Sequence, residues 1–453
     1  MKPSIPKGTR DFLPPQVLRR EYIFSVLRRA FQRYGYQPIE TPALENLSTL
    51  TGKYGEEGDR LLFKVLNNGD YLSKADESAL ATRDSEALTS SIAKRGLRYD
   101  LTVPFARYVV MHQNDLSFPF KRYAIQPVWR ADRPQKGRYQ EFYQCDADVV
   151  GSDSLIYEAE QMQLFDRVFA ELGLRVQIRI NHRRILVALS ELAGHADKMM
   201  DITMAIDKLD KIGLDGVKRE LTQRGIPEDA QGTIEKFLAV ESLDELEALV
   251  GENENGQVGV SELREVFDMY AATGSTNPLI FDVKLARGLN YYTGCIFEVE
   301  VDTEAHPGIK MGSIASGGRY ADLTEVFGMK NQPGVGISFG AERIYDVLEE
   351  LDLFPGHTAG SLAALVLCMD KMIMPQAFQL VSRLRASGIH ADLYPKATKL
   401  GKMMKYADQR GVPKVILLGS EEAASGVYSL KDMASGEQEK LDFSALLNRL
   451  KID

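Results

Sequence analysis

The sequence is poor in the residues that mark a disulfide-bonded, metal-binding or membrane protein. Its 453 residues include only three cysteines, Cys145, Cys295 and Cys368, which lie far apart and form no C-x-x-C pair. Such dispersed cysteines argue against a disulfide framework, and since the six histidines form no H-x-x-x-H pattern, a structural zinc site is not expected. No apolar run approaches the roughly 20 residues that a membrane helix needs. The first eleven residues lack the apolar core of a secretory signal, so we expect a cytoplasmic protein.

Common catalytic signatures are also missing. The chain has no H-E-x-x-H metal motif, no G-x-x-x-x-G-K-[ST] phosphate loop and no Ser/His/Asp arrangement. If the protein binds ATP, it therefore does so without a P-loop. With 26% charged and 44% hydrophobic residues, the composition is that of two or three domains, each large enough for its own core.

Positive charge is scarce overall, which by itself argues against a nucleic-acid partner. The formal net charge is −9. Residues 360–453, however, carry 13 Lys/Arg against 10 Asp/Glu, so the negative charge is concentrated in the preceding part of the chain. This polarisation weakens the objection and leaves the C-terminal segment open to a nucleic-acid partner.

Hydrophobic periodicity predicts a long N-terminal helix and, further on, a pair of strands. Residues 17–34 place apolar side chains on one helical face, Gly35 is a natural stop, and a short extended run closes at Pro42. Residues 121–151 are rich in aromatic and β-branched residues on either side of a polar loop at 133–137. Two long antiparallel strands joined by that loop are therefore expected.

The remaining sequence predicts a helical insertion and a separate C-terminal domain. Residues 196–258 are charged and helix-rich, with a capping box at Ser242 and a Gly/Asn-rich linker at 251–256. Strands are expected at 279–301, 312–318 and 334–339, the last running into a helix from Ala341. After residue 360, a β-α-β-α-β alternation indicates a small α/β domain with a mostly parallel sheet, with strands at 362–368, 389–394 and 414–418 and helices at 372–387 and 397–410.

One group of polar residues lies on the predicted hairpin. Arg130 precedes Asp132 by two residues. The guanidinium of a rigidly held arginine can donate several hydrogen bonds to the negative charge that develops during phosphoryl transfer. It takes no part in acid–base chemistry. On the return strand Gln144, Asp146 and Asp148 lie two residues apart, so their side chains share one face and place acceptors along a pocket wall.

Three further stretches carry glycine beside arginine or tyrosine. Residues 287–294 (RGLNYYTG) suggest a pocket for an anion and a ring, in which at most one of the two tyrosines faces the ligand, because neighbouring strand residues point to opposite faces. For residues 316–320 (SGGRY) a plain turn is the commoner explanation. Residues 334–343 (GVGISFGAER) place Arg343 in the first turn of a helix, where it opposes the helix dipole and a bound polyphosphate would compensate.

Taken in this order, these segments resemble the class II aminoacyl-tRNA synthetases. The N-terminal helix and strand are similar to motif 1, residues 121–148 to motif 2 and residues 334–343 to motif 3. Residues 285–294 and 316–320 narrow the resemblance to the histidyl-tRNA synthetase family. Residues 97–105 (LRYDLTVPF) are similar to the form of that family common in eukaryotes and archaea. The resemblance covers nearly the whole chain.

The resemblance implies an α+β fold and an ATP-dependent ligase. The implied domains are residues 1–195 (first part of an antiparallel-sheet catalytic domain), 196–258 (helical insertion), 259–355 (second part of the catalytic domain) and 360–453 (α/β anticodon-binding domain). The implied activity is that of a histidine–tRNA ligase: ATP with Mg²⁺ activates L-histidine to histidyl-adenylate, and the histidyl group then passes to the 3′ end of tRNA(His). Because motif 1 forms the dimer interface in this class, a homodimer is expected.

Residue roles follow from the same resemblance. The implied histidine site consists of Asp100, Thr102, Gln144, Asp148, Arg287, Tyr291, Tyr292 and Tyr320. In it, Asp100 and Thr102 hold the α-amino group and Asp148 accepts a hydrogen bond from the imidazole. The implied ATP site consists of Arg130, Asp132, Arg138, Phe142 and Arg343, with Arg130 and Arg287 as the catalytic residues. Gln135 is expected near the acceptor end of the tRNA, and no metal ligand is expected from the protein beyond the Mg²⁺ carried by ATP.

The sequence departs from the family pattern at four positions without losing a residue that the chemistry requires. Asn290 occupies a position where the family usually has Asp, and Ser316 one where Ala is common. Gln140 replaces a frequent Arg, and Asp132 replaces the Glu found in other branches. The Gln140 departure puts one contact with the acceptor stem in doubt.

Two other functions are compatible with parts of this pattern. A non-catalytic paralogue acting as a histidine-sensing regulatory subunit, as for ATP phosphoribosyltransferase, characteristically lacks the anticodon domain and has a degraded RGLxYY stretch. Another class II synthetase, for glycine, threonine or proline, is disfavoured by the paired tyrosines and by Asp148.

A lysine stripe marks the C-terminal domain. Lys396, Lys399, Lys402 and Lys405 recur every third residue, and Asp408 is the only acid between residues 396 and 410. On a helix this spacing would keep them close to one face. A solvated face explains such a stripe about as well, but its place in the positively charged segment favours contacts with tRNA phosphates.

Overall fold

The computed structural model describes residues 2–52, 55–135, 137–286, 292–321, 323–356 and 362–451. The chain divides into two compact units. The larger comprises Met1–Asp11 and Ile23–Leu353, and the smaller comprises Phe12–Tyr22 and Phe354–Asp453. Within the described residues, no helix combines the length and the apolar character that crossing a membrane requires.

The following helices belong to the larger unit, and α1 does so for most of its length. They are α1 (Pro14–Arg33), α2 (Leu47–Leu50), α3 (Gly55–Arg60), α4 (Glu77–Thr82), α5 (Ser85–Ile92), α6 (Thr102–Met111), α7 (Ile156–Glu171), α8 (Arg183–Leu192), α9 (Met199–Ile206), α10 (Leu209–Gln223), α11 (Glu228–Leu238), α12 (Leu243–Val250), α13 (Glu254–Ala271) and α14 (Ala341–Glu350). Short 3₁₀ turns lie at Ala196–Lys198 and Glu325–Phe327.

The strands of the larger unit form two sheets. They are β1 (Gln37–Pro38), β2 (Leu44–Asn46), β3 (Lys64–Val65), β4 (Arg95–Leu97), β5 (Phe120–Trp129), β6 (Glu141–Val150), β7 (Val176–His182), β8 (Leu279–Phe281), β9 (Tyr292–Val301), β10 (Ala315–Tyr320) and β11 (Gly334–Gly340). The main sheet has the order β1-β5-β6-β11-β10-β9-β7-β8 within the described chain, and β2-β4-β3 form the small one. All pairings in the main sheet are antiparallel except those of the edge strands β1 and β8, which confirms the expected antiparallel core.

The predicted hairpin is confirmed, and its register is fixed along its whole length. Strands β5 and β6 pair from Phe120 with Val150 to Trp129 with Glu141. Since successive side chains alternate between the two faces, Gln144, Asp146 and Asp148 share one face, as expected. The other face carries apolar residues such as Cys145.

Helices α1 and α7 cover the apolar face of the main sheet. Phe31 of α1 and Phe165 and Phe169 of α7 surround Phe339 of β11, with ring-centroid distances of 5.2–5.9 Å. All four rings are completely buried. Helix α1 ends at Arg33, and Gly35 follows with φ +78°, which confirms the predicted glycine stop. The opposite face of the sheet is thereby left to the polar side chains.

The helical segment after β7 differs in detail from the prediction. Ser242 caps α12 as expected, its hydroxyl accepting from the amide of Glu245. The interpretation of 251–256 as a linker is wrong for its second half, because Asn253 caps α13, accepting from the amide of Gly256, and residues 254–256 form the first turn of that helix. Since α13 continues to Ala271, the proposed boundary at residue 258 falls inside one helix. That helix packs on α7 and α8.

The smaller unit contains the predicted β-α-β-α-β alternation and an addition to it. Its elements are β12 (Ala364–Cys368), α15 (Met374–Ala386), β13 (Ala391–Leu393), α16 (Leu400–Gln409), β14 (Lys414–Leu418), α17 (Ser420–Ser425), β15 (Val427–Asp432), β16 (Gln438–Asp442) and α18 (Phe443–Leu450), with a 3₁₀ turn at Lys371–Ile373. Strands β13, β12 and β14 are parallel, as expected, whereas β15 and β16 extend the sheet in antiparallel fashion.

The lysine stripe is not a stripe on one helix. Helix α16 begins only at Leu400, because Lys399 has ψ 130° and is its N-cap, and Lys396 precedes it. Only Lys402 and Lys405 therefore lie on the helix. All four side chains are nevertheless exposed.

Removing the central ring of the aromatic cluster tests this account of the core. Phe339→Ala should lower the free energy of unfolding of the larger unit by about 3–5 kcal/mol, because it leaves a cavity among three fixed rings. Urea unfolding followed through the fluorescence of Trp129, the only tryptophan in the sequence, measures this directly. The control is Met111→Ala, which removes an apolar side chain of the same unit that is 67% exposed and should change stability by no more than about 0.5 kcal/mol. Equal losses in both variants would contradict the assignment of the core.

Candidate functional site

A cavity of about 790 Å³ lies on the polar face of the main sheet. Strands β6, β9, β10 and β11 form its floor. The loop between β5 and β6 and the segment at 310–314 form its rim. The predicted site residues that line it are Asp100, Thr102, Arg130, Asp132, Gln135, Arg138, Phe142, Gln144, Asp148, Tyr292, Tyr320 and Arg343. Residues from six separate stretches of sequence thus converge on one cavity.

Asp148 is held from two sides at the buried end of the cavity. Arg122 of β5 lies directly opposite it in the hairpin register, and its Nη2 is 2.7 Å from Asp148 Oδ2. The hydroxyl of Tyr320 donates to Asp148 Oδ1 over 3.1 Å. Asp148 therefore presents an acceptor whose orientation is fixed by a cation and a phenol.

Glycines in the floor strands allow the pocket side chains to lie flat across the sheet. A Cβ added to Gly336 would come within 2.0 Å of Asp148 Oδ1, and one added to Gly318 within 2.8 Å of the Tyr292 ring. The explanation of residues 316–320 as a plain turn is therefore wrong, since Gly318 lies within β10. The strand keeps a glycine there because the neighbouring aromatic ring occupies the space of a side chain.

Asp146 lies beside Asp148 and is also buried. It is 2% exposed, and its Oδ2 is 4.0 Å from Arg122 Nη2. Burial raises the pKa of Asp146 to about 7, a rise that Arg122 opposes and Asp148 reinforces. Because this pKa lies above the usual value of 3.8, the stability that the carboxyl contributes is complete below pH 3.8 and is lost as the pH rises through 7.

Burial raises the pKa of Asp148 as well, while Arg122 and the Tyr320 hydroxyl lower it. The guanidinium is much closer to Asp148 than to Asp146, so its charge favours the ionised form of Asp148 more strongly.

Arg130 is fixed between two rings and two acceptors. Its Nε donates to the carbonyl of Tyr99 over 3.1 Å and its Nη2 to Gln144 Oε1 over 3.5 Å. The guanidinium carbon lies 4.2 Å from the ring centroid of Tyr99 and 5.1 Å from that of Phe142. This bracing is what a preorganised donor for a developing negative charge requires.

Arg343 has a different environment from the one expected. It occupies the first turn of α14, as predicted, but its Nε and Nη1 donate to the carbonyls of Gly137 and Ser313 over 3.1 and 2.5 Å. Two carbonyl dipoles thus compensate for its unfavourable position at the helix N-terminus. The same contacts tie the loop at Gly137 to the helix.

The loop between β5 and β6 is also braced by the N-terminal segment, which the sequence did not indicate. The carbonyl of Gly8 accepts from the amide of Gln140 over 2.9 Å. The Arg10 guanidinium lies 3.4 Å above the ring of Tyr139. Within the loop, Arg138 and Asp132 approach to 3.7 Å.

Asp100 and Thr102 meet at the start of α6. Asp100 Oδ1 accepts from the amide of Val103 over 3.1 Å, and Thr102 is the first residue of the helix. Asp100 is almost fully buried but reaches the cavity, so it can face a ligand cation there.

Some of the predicted residues cannot be placed in the cavity. Arg287, Tyr291 and the Asn290 departure lie outside the described residues. The four lysines belong to the smaller unit. Sequence reasoning missed Arg122, and it also missed three cavity residues, Lys211, Lys310 and Glu342.

The hairpin register was the signal that could have revealed Arg122. If Trp129 pairs with Glu141 across the loop, Arg122 must pair with Asp148. The lysines at 211 and 310 carry no comparable signal, because each comes to the cavity from a segment without a motif. Within the described ranges, no cluster of three His, Cys, Asp or Glu residues could hold a metal ion.

Comparison with known proteins identifies the family. The model of the family "Histidyl-tRNA synthetase" matches residues 8–83 and 86–344, and that of "Anticodon binding domain" matches residues 363–452. The chain is 54% identical to the histidine–tRNA ligase of Christiangramia forsetii and 50% identical to that of Bacteroides fragilis, each alignment covering 99% of both chains. A solved structure of histidyl-tRNA synthetase from Nostoc sp. PCC 7120 matches with a TM-score of 0.83 and 31% identity, over 99% of each chain. The chain therefore belongs to the histidyl-tRNA synthetase family.

Proposed function

We propose that the cavity on the main sheet activates L-histidine with ATP, as the first step of charging tRNA(His). The observation that carries this proposal is the placement of acidic and basic groups along the hairpin. Asp146 and Asp148 line the cavity from β6 and interact with Asp100, whereas Arg130 and Arg138 line it from the loop between β5 and β6, to which Arg343 is bonded. An amino acid with a basic ring suits the carboxyls on β6, and a triphosphate suits the arginines at the loop.

Histidine is bound by its two basic groups. Asp148 accepts a hydrogen bond from an imidazole N–H, and Tyr292 and Tyr320 lie beside the ring. Asp100, Thr102 and Gln144 hold the α-ammonium group. The glutamine is well placed for this, because its amide already donates to Ser338 Oγ over 3.2 Å and its orientation is therefore fixed.

The carboxylate of histidine then attacks the α-phosphorus of ATP. A bond forms between a carboxylate oxygen and phosphorus, the bond to the bridging oxygen of pyrophosphate breaks, and histidyl-adenylate and pyrophosphate result. Arg130 stabilises the charge that develops on the α-phosphate, and Arg287 is the second catalytic residue of the proposal. Phe142 and Arg343 flank the adenine, while Asp132 and Arg138 complete the ATP site. Catalysis of this kind is positioning and charge stabilisation rather than proton transfer.

The second step transfers the histidyl group to tRNA. A ribose hydroxyl of the terminal adenosine, the 3′ one in our proposal, attacks the acyl carbon and AMP leaves. Gln135 on the rim loop approaches the acceptor end. The smaller unit binds the anticodon region, with Lys396, Lys399, Lys402 and Lys405 contacting phosphates.

The proposal includes a cytoplasmic homodimer that takes up ATP together with Mg²⁺. The metal would neutralise phosphate charge and needs no ligand set of its own in the protein. The domains are those proposed from the sequence, except that α13 begins in the insertion and continues into the second part of the catalytic domain. The alternative function, a histidine-sensing regulatory subunit, lacks support, because relatives of about 50% identity over the full chain are histidine–tRNA ligases.

Pyrophosphate exchange across all twenty amino acids tests the proposed function. The purified full-length protein should incorporate labelled pyrophosphate into ATP only when histidine is present, and it should then aminoacylate tRNA(His). Exchange with glycine, threonine or proline instead would show another class II specificity. Histidine binding without any exchange would support the regulatory alternative.

Gly336 offers a test of the position of Asp148. Gly336→Ala places a methyl group where Asp148 Oδ1 lies, so the carboxylate must move, and the catalytic efficiency with histidine should fall at least about a hundred-fold. Gly312→Ala is the matched control: it also lies in the cavity wall, but nothing lies within 4 Å of its added Cβ. Steady-state pyrophosphate-exchange kinetics of both variants would show whether the loss of activity requires displacement of Asp148. Equal activities would argue against this site.

The lysines of the smaller unit should act on tRNA and not on adenylate formation. Replacing Lys402 and Lys405 with alanine should raise the KM for tRNA and reduce the salt dependence of charging, since two phosphate contacts are lost, while histidine-dependent exchange stays unchanged. The control with the same change of charge in the same unit is Lys431→Ala with Lys440→Ala. Aminoacylation and exchange measured on the same preparations decide the question. A loss common to both double variants would point to net charge alone.

A further inference from the structure

Three of the arginines that are buried in the larger unit, Arg98, Arg122 and Arg319, differ in how they are bonded. Arg98 donates from Nε and Nη1 to the carbonyls of Pro127 and Thr41, over 2.8 and 2.6 Å. Arg319 pairs with Glu158 through two nitrogens and donates to the carbonyls of Ser152 and Ser154. Both bind neighbouring segments together, as structural arginines do.

Arg122 is bonded much less fully, although it is completely buried. Its Nη2 contacts Asp148 and lies 3.4 Å from the carbonyl of Leu101, but Nε and Nη1 have no hydrogen-bond partner among the described residues. Each buried donor without an acceptor destabilises the folded state. Arg122 is therefore poorly explained as a means of bonding segments together.

What Arg122 does supply is a positive charge beneath the acidic end of the cavity. Arg122 interacts electrostatically with Asp148 and Asp146 of β6 and with Tyr320 of β10, and Asp100 before α6 interacts in turn with both of those carboxyls. The ring of Phe105 lies 4.3 Å from its guanidinium carbon and closes the remaining side. Without this charge, Asp146 and Asp148 would lose the cation that opposes the rise of their pKa values, and each would favour its protonated form more strongly.

The position of the guanidinium is also asymmetric. It lies 2.7 Å from Asp148 and 4.0 Å from Asp146, whose Oδ1 has no hydrogen-bond partner within the described chain. A charge-assisted contact at the shorter distance orients Asp148 and favours its ionised form more strongly than that of Asp146. The two carboxylates are thereby made unequal, although they occupy neighbouring positions on one face.

We propose that Arg122 is a positioning residue for amino-acid selection: it holds Asp148 as the fixed, ionised acceptor that recognises the imidazole N–H of histidine. Arg122 does not itself touch the substrate in this proposal. It acts through Asp148, because an ionised carboxylate only accepts hydrogen bonds, whereas a protonated one would offer a hydroxyl towards the ring. The inference rests on the proposed function of the cavity.

The test compares Arg122→Met with two other variants in histidine-dependent pyrophosphate exchange. Arg122→Met should raise the KM for histidine at least about tenfold and leave the KM for ATP within about twofold, because the ring loses its acceptor and the phosphate end is untouched. Arg122→Lys keeps a cation but not the planar fork and should give a smaller rise, again for histidine alone. Lys121→Met is the matched control. It removes a 2.6 Å ion pair with Glu160 from the adjacent residue of the same strand and should leave both KM values unchanged.

A double-mutant cycle with Asp148→Asn shows whether Arg122 acts through Asp148. If it does, Arg122→Met should add less than about twofold to the histidine KM when Asp148→Asn is already present. Independent, multiplicative effects, or equal rises in the KM values for histidine and ATP, would overturn the proposal. If Arg122→Met fails to fold, the double-mutant cycle of Arg122→Lys with Asp148→Asn tests the proposal by the same criteria. Wild-type protein without histidine-dependent exchange would refute the proposed function itself, which is a separate result.

Discussion

The contact between Arg122 and Asp148 is the interaction on which the site depends. A buried ion pair is costly to form, because both groups lose their hydration, and it is retained only where geometry is good and the alternatives are worse. Here the geometry follows from the register of β5 and β6, which sets the two residues opposite each other. Gly336 leaves the space that the carboxylate occupies, and Tyr320 supplies its second donor. In our proposal, these features together keep Asp148 charged and fixed in position.

Along the main sheet, the cavity has an acidic end and a basic end. Its acidic end lies over the paired strands, where burial makes carboxylates sensitive to their nearest cation. Its basic end is built from the loop after β5 and the start of α14, where Arg130 is braced by Tyr99 and Gln144, and Arg343 by backbone carbonyls. Gln144 belongs to both ends, since it touches Arg130 and lies two residues from Asp146. In the proposed function, an amino acid bound along β6 directs its carboxylate towards these arginines, as attack on a phosphorus atom requires.

The sequence predicted those features that depend on local pattern. The hairpin, the helix stopped by Gly35, the strand into α14 and the parallel part of the smaller unit all follow from periodicity and from glycine. The errors arose where tertiary packing decides. Residues 254–256 look like a linker by composition, yet α13 begins there because Asn253 caps it and its apolar face packs on α7 and α8. The lysine spacing suggested one helix, but Lys399 lies at the cap. Arg122 was missed because its role depends on cross-strand register, and Lys211 and Lys310 because only the fold brings them to the cavity.

The central claim is that a charged, fixed Asp148 recognises a ring N–H. Calorimetric titration of the protein with L-histidine and with its thiazol-4-yl analogue, in which sulfur replaces the ring N–H, measures this most directly. The two ligands have nearly the same shape, so the difference in affinity isolates the hydrogen bond to the ring. The account predicts that histidine binds at least about a hundred-fold more tightly, because the analogue offers no N–H donor to the buried carboxylate of Asp148. Equal affinities would contradict it and would show that the pocket selects its ligand by shape alone.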